Sequence, residues 1–438
     1  MNLKENMDRE VDVDERTPLV HDEIEKEEDL ETENDEKLSH QRQFVLVSAS
    51  FLLCFFIYGF GLSLSVLYPV FADVFNSNRT TAALIQSLYS SIGMAFSILW
   101  NKPVLRFGSG LCIGFGVCLV VLGIFLAQFA TNIWILIFLI SIVGGMGVSI
   151  IGVGPHLIIN RKVTKHKMAA LALIPASGSL GQFCFVILTE FFIETYGWSG
   201  ALLLMSAIQA NMFPFAILIA RIDAQSSRKK TIPVKPDKMF TTELFKNWRL
   251  YILFVNCFFF LFSAFLETKF IVDYAIDKGL GREIGSQLAS YCGIAGFVGR
   301  TACFGLKMIV PGKSLLQSSA LSLIIAASHA IIVYSESYTY ILLGTLLNGF
   351  ALGMLVSLFS NVLLEIFSPG HFGSAFTITF VVNGVGSFLG GYIGGFIRDT
   401  YGNYNLLFNL SIGFGVLMTL LYLTLVISVS NIWRKMFK

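Results

Sequence analysis

Apolar residues run along this chain in long blocks separated by short polar joints. A helix crossing a ~30 Å hydrocarbon core needs about 20 mostly apolar residues. Twelve runs meet that length, near 44–72, 81–101, 109–130, 132–158, 168–193, 198–220, 250–268, 284–308, 315–335, 339–367, 372–397 and 405–430. The stretches before 43 and between 222 and 249 break the pattern, and the second of them holds Pro233 and Pro236. Five parts follow: a tail (1–42), a six-helix half (43–221), a linker (222–249), a second six-helix half (250–430) and a short tail (431–438). The expected fold class is an all-α membrane protein with twelve transmembrane helices in two six-helix halves.

Composition agrees with this and adds orientation. Hydrophobic residues make up 55% of 438 and charged residues only 14%, with a mean hydropathy of +0.70. Sixteen of the 29 acidic residues fall in the first 36 positions, so the tail is expected to be acidic, disordered and cytoplasmic. That polar start carries no cleavable signal, which leaves the first span as the signal anchor. With both termini inside, nineteen Lys and Arg lie in inner loops or the C-terminal tail and five on the outer side, as the positive-inside rule demands. The seven cysteines sit in apolar runs and read as free, buried, small hydrophobes. No zinc spacing, nucleotide loop or nucleophile elbow occurs, so the reading is of a non-enzyme with no catalytic residues, cofactor, metal or nucleic-acid partner.

Arg300 carries the candidate chemistry, because it lies inside the apolar run 284–308. A guanidinium at that depth costs about 2.5–3.5 kcal/mol on insertion scales and stays charged. It anchors a substrate carboxylate, or it is a structural arginine bonded to helix carbonyls or snorkelling inward. Other pathway candidates are Tyr58, Tyr68, Ser177, Tyr291 and Asn383. Glu190, Glu267 and His329 are the candidate coupling groups, with Glu267 and Lys269 read as flanking the outer end of span seven. Gating candidates are Asp273, the Arg106–Gly108 turn between spans two and three, and Asp399, the last as a helix-end residue rather than a ligand. Small-residue faces recur at SGSLGQ (177–182) in span five and GVGSFLGG (384–391) in span eleven, equivalent places in related halves. Such a pairing points to the major facilitator architecture.

Several segments resemble the monocarboxylate transporter family. NRKVTKHKMAALALIPASGSLGQ (160–182) is similar to its basic loop and fifth helix, and KPVLRFGSG (102–110) to its turn between helices two and three. KFIVDYAIDKGL (269–280) with IAGFVGR (294–300) resembles the end of helix seven and the arginine-bearing helix eight. GGYIGGFIRDTYGNYN (390–405) resembles the end of helix eleven. The resemblance implies a transporter of small monocarboxylates working by alternating access, with Arg300 matching the arginine that engages the substrate carboxylate. Where proton-coupled lactate carriers of the family place a lysine in helix one, this chain has Leu62; where they place an aspartate one turn before the arginine, it has Gly296. Gly391 and Tyr392 replace the family's double proline.

These readings lead to a secondary active or facilitative transporter of a carboxylate-bearing organic solute, lacking the lactate-type proton relay. The alternatives are a proton-coupled symporter using Glu190, Glu267 or His329, and a non-transporting receptor or trafficking protein with the same fold. The partners expected are a small organic acid or amino-acid-like solute, the lipid bilayer, and a single-span chaperone subunit or sorting adaptor. The plasma membrane is the expected site, with an endosomal or lysosomal address readable in DERTPLV (14–20). Asn78-Arg79-Thr80 is a glycosylation sequon on the outer side.

Overall fold

The computed structural model describes residues 40–163, 167–227, 245–263, 266–309, 313–367 and 372–436. The Asp14–Val20 motif and most of the 222–249 linker lie outside them. The described chain is helical. The helices are α1 (His40–Val74), α2 (Arg79–Ala95), α3 (Ser109–Ala127) and α4 (Ile133–Ile159), then α5 and α6 within Leu173–Ala224. The second half follows with α7 (Trp248–Asp277), α8 (Arg282–Ile309), α9 (Ser314–Tyr334), α10 (Tyr338–Ile366), α11 (Phe372–Tyr401) and α12 (Asn405–Met436).

Among the described residues, ten stretches are long and apolar enough to cross a membrane, against the twelve read from sequence. The difference has two physical sources. Leu173–Ala224 counts as one stretch of 52 residues, yet Gly197 breaks it with φ +69, a left-handed conformation that glycine adopts without a steric cost. Arg282–Ile309 has the length, at 28 residues, but its glycines, serines and charges dilute its apolar character. Span seven is longer than the 250–268 expected, since the helical segment Trp248–Ser263 is followed by a second, Leu266–Asp277. Glu267 and Lys269 therefore do not flank its end; they are buried within it.

Small residues set how closely the helices cross. A Cβ on Gly181 of α5 would lie 2.4 Å from the Phe55 carbonyl oxygen of α1, so only glycine allows that approach. On the other small-residue face, a Cβ on Gly391 of α11 would stand 1.5 Å from Ser87 Oγ and 2.6 Å from Ser87 Cβ of α2. The second contact joins the two halves.

The apolar core shows which end of the molecule is closed. One core runs through the first half and continues into Phe270, Leu288, Ile332, Leu407 and Phe408 of the second. These residues lie toward the end that the charge rule assigns to the outside. The second half keeps a separate core of Leu250, Leu253, Leu358, Val362, Met418 and Leu425 toward the inner end. The halves are thus fused by packing at the outer end.

Candidate functional site

Arg300 projects from α8 where the two halves meet. At 1.5 Å per residue it lies about 27 Å from the outer end of that helix, in its inner half. Nε and Nη1 of Arg300 are shielded from solvent and have no hydrogen-bond partner among the described residues. Tyr58 of α1 lies within electrostatic reach of the guanidinium. Its ring is seated against the first half: a Cβ on Gly178 of α5 would be 3.2 Å from Tyr58 Cβ, and one on Gly152 of α4 would be 3.1 Å from its hydroxyl. An arginine fork with free N–H groups beside a phenol suits a carboxylate held by two parallel charge-assisted hydrogen bonds.

The packing around α8 also explains the residue one turn before the arginine. A Cβ on Gly296 would lie 2.9 Å from Ser179 Oγ of α5, and one on Gly353 of α10 would lie 2.1 Å from the Gly296 carbonyl oxygen. This crossing is built from bare backbone. An aspartate there would force Ser179 or the α8–α10 crossing to shift.

Asp273 and Asp399 organise a seal at the outer end. Asp273 has no solvent exposure and receives the Tyr404 hydroxyl at 2.6 Å. Arg79 Nη2 stands 3.3 Å from Asp273 Oδ1, and Arg398 Nε 3.8 Å from its Oδ2. Arg398 also pairs with Asp277. Tyr404 and Tyr68 share a hydroxyl contact of 3.0 Å, linking the turn before α12 to α1. Asp399 of α11 accepts the backbone N–H of Arg79 at 2.9 Å and of Thr80 at 2.8 Å, together with the Thr80 hydroxyl. Asn78 occupies the N-cap position of α2, yet its side chain makes no capping bond. A carboxylate from the opposite half caps the helix instead. Beside this cluster, Glu190 of α5 takes Arg282 Nε at 2.7 Å and the Ser286 hydroxyl at 2.8 Å, both from the second half.

A further polar group is enclosed within the second half. His329 of α9 has its Nε2 3.9 Å from Glu267 Oε2, and its Nδ1 lies 2.8 Å from Ser411 Oγ. Lys269 points away from Glu267 and donates to the Ser387 carbonyl of α11 at 2.7 Å. Lys269 is thus a second basic side chain buried within a helix, besides Arg300.

The remaining sequence candidates fall in different places. Tyr68 belongs to the outer seal, ten residues and about 15 Å along α1 from Tyr58. Tyr291 lies on an exposed stripe with Ile294 and Val298, nine residues and about half a turn away from the Arg300 face. Ser177 spends its hydroxyl on the Ile174 carbonyl of its own helix, at 2.6 Å. Asn383 is buried with its amide oxygen unpartnered among the described residues. Gly108 turns with φ +89 while Asp223 receives the Ser109 N–H at 2.7 Å, a contact inside the first half; Arg106 lies over the Phe107 ring, and both side chains are exposed. Six of the seven cysteines are at least partly buried, but Cys184 is exposed on the apolar surface of α5, a correction to the uniform burial expected. Residues the sequence did not single out for the seal are Arg79, Thr80, Arg282 and Tyr404. Their partners across the two halves lie 92 to 336 residues away, and no local pattern marks such pairs.

Comparison with known proteins places this geometry. Residues 50–332 match the family described as Major Facilitator Superfamily. Monocarboxylate transporter 13 of Bos taurus is 25% identical over 389 residues, covering 86% of this chain and 89% of that protein. Monocarboxylate transporter 9 of Gallus gallus is 30% identical over 200 residues, or 45% of this chain and 39% of that one. Among solved structures, a POT family transporter in complex with 5-aminolevulinic acid superposes with a TM-score of 0.71 at 15% identity, covering 90% of this chain and 96% of that one. The nucleoside transporter NupG, in a mutant form, gives 0.67 at 16% identity, with coverage of 87% and 99%. At those identities the structural likeness speaks for the fold.

Proposed function

This chain belongs to the major facilitator superfamily and, within it, to the monocarboxylate transporters; from that premise we propose that it carries a carboxylate-bearing organic solute by alternating access, with Arg300 as the anion anchor. One observation carries the proposal: a guanidinium at the junction of the halves whose Nε and Nη1 are buried and unpartnered among the described residues. Burying such a group without a partner is costly, and a substrate carboxylate is the partner whose planar geometry matches it. Tyr58 supplies a second contact on the opposite half, so one solute bridges both.

The seal of Asp273, Asp399, Arg79, Arg398, Tyr68 and Tyr404 serves as the outer gate, closed in this structure. Rocking of the two halves would break it and expose Arg300 to the outside. Leu62 and Gly296 stand where the lactate-type relay needs a lysine and an acid, so movement of the solute does not run through those positions. The plasma membrane is the proposed location.

The test is uptake of radiolabelled lactate, pyruvate, ketone bodies, aromatic amino acids and iodinated aromatic acids into cells expressing the protein. Hydrogen bonds to charged groups contribute about 1.5–3 kcal/mol, so Arg300→Ala should weaken apparent affinity about 10- to 150-fold at equal surface abundance. Arg300→Lys keeps the charge but loses the fork, and should also transport poorly. Wild-type uptake by both variants would refute the assignment.

A further inference from the structure

Six of the buried polar atoms in the second half cluster around Glu267 without a well-formed hydrogen bond among the described residues. They are both carboxylate oxygens of Glu267, Nε2 of His329, Oγ1 of Thr345 and both amide atoms of Asn348. The four side chains come from α7, α9 and α10, and each is 0% exposed. Native interiors hold few such atoms, and a group of them around one carboxylate calls for an occupant.

The geometry narrows what that occupant is. His329 Nδ1 is held by Ser411 Oγ at 2.8 Å, which lies 2.5 Å from Ser263 Oγ. Phe408 packs edge-on against the imidazole, with ring centroids 5.6 Å apart. The ring is therefore fixed with Nε2 toward Glu267 at 3.9 Å, beyond direct hydrogen-bond reach. Thr345 and Asn348 stand close enough to interact with the same carboxylate, but their geometry falls short of a formed hydrogen bond. An ionised carboxylate left unpaired here would cost several kcal/mol. Lys269 does not neutralise it, being directed to Ser387. A hard metal cation wants a shell of oxygens, and an imidazole nitrogen aimed at the carboxylate is a poor member of one. A proton shared between the carboxyl and the imidazole, across a bridging water, suits both groups and the distance.

We propose that Glu267 and His329, with Thr345 and Asn348, form a proton-binding site inside the second half, occupied while the outer end is closed and separate from Arg300. The other titratable groups nearby are few or engaged elsewhere. Cys292 of α8 lies within electrostatic reach of Glu267, and Gln182 of α5 is beside the cysteine. On α7 itself Asp273 is held in the outer seal, and Tyr274 donates to the Ile332 carbonyl at 2.9 Å. Arg398 of α11 and Tyr404, just before α12, meet Asp273 rather than Glu267, and Tyr68 of α1 joins them through the Tyr404 hydroxyl. Glu267 and Asp273 share one helix and lie six residues, about 9 Å, apart along it. Losing the proton creates a charge that one bridging water does not solvate, and further water reaches it only if α7 parts from α9 and α10. The proton state is thereby tied to the outer gate.

The test uses full-length protein in lipid nanodiscs and infrared difference spectra between acidic and alkaline buffer. Wild type should show the carbonyl-stretch band of a buried protonated carboxylic acid that bleaches on alkalinisation. Glu267→Gln should lose that band, and His329→Gln should displace its half-bleach pH by about one unit, a tenfold change in proton affinity. Arg300→Lys should keep the band, so the result stands apart from the substrate anchor. An unchanged band in Glu267→Gln overturns the proposal. So does a band altered at fixed pH by sodium chloride but not by choline chloride, which would make the site a cation's. If Glu267→Gln does not fold, His329→Gln decides alone, and an unmoved half-bleach pH overturns the assignment.

Discussion

Asp399→Ala should release the outer gate without disturbing either half. The carboxylate accepts the N–H groups of Arg79 and Thr80 at 2.9 and 2.8 Å, supplying from α11 the cap that Asn78 does not provide for α2. Loss of a helix cap costs about 0.5–2 kcal/mol, and loss of a negative charge at a helix N-terminus about 0.3–1 kcal/mol at an exposed site. The two effects overlap at Asp399, which is itself exposed, so a total of about 1–2 kcal/mol is reasonable. Once the gate has opened, water satisfies the same N–H groups whether or not the carboxylate is present. The change therefore falls on the closed state alone and shifts the closed-to-open ratio by about 5- to 30-fold. Spin labels at Thr131→Cys and Glu336→Cys, exposed positions on outer loops of opposite halves, would report this in a background without the exposed Cys184. The long-distance population in pulsed dipolar spectra should rise by that factor, with Asp399→Asn falling between because one acceptor oxygen remains. An unchanged distance distribution in a well-folded Asp399→Ala protein would refute the capping argument.

Two further outcomes follow from close helix crossings. Gly296→Asp, which restores the acid of lactate carriers, should lower thermal stability by about 1–3 kcal/mol, as overpacking does, rather than confer proton-linked uptake. A melting curve by size-exclusion detection equal to wild type would contradict this. Gly391→Val should push α2 from α11 and enlarge the open population, because its Cβ meets both Ser87 side-chain atoms. Adding Ser87→Gly should restore part of the closed population, and strict additivity in this double-mutant cycle would remove the proposed contact.

Much of this architecture is legible in local sequence. Crossing a bilayer depends on the summed transfer free energy of consecutive residues, so run lengths mark the spans, and Lys and Arg placement orients them. Arg300 was visible for the same reason, as a charge within an apolar run. What tertiary structure decided is which residues meet. Glu267 and His329 are 62 positions apart and Asp399 and Thr80 are 319 apart, and no periodicity records either pair. Rotation about each helix axis separated Tyr58, at the junction of the halves, from Tyr291, about half a turn from the Arg300 face. The longer α7 drew Glu267 and Lys269 from an expected helix end into the interior. Local hydrophobicity sets whether a segment enters the membrane; the crossing angles and small-residue contacts of twelve helices set what each polar side chain then faces.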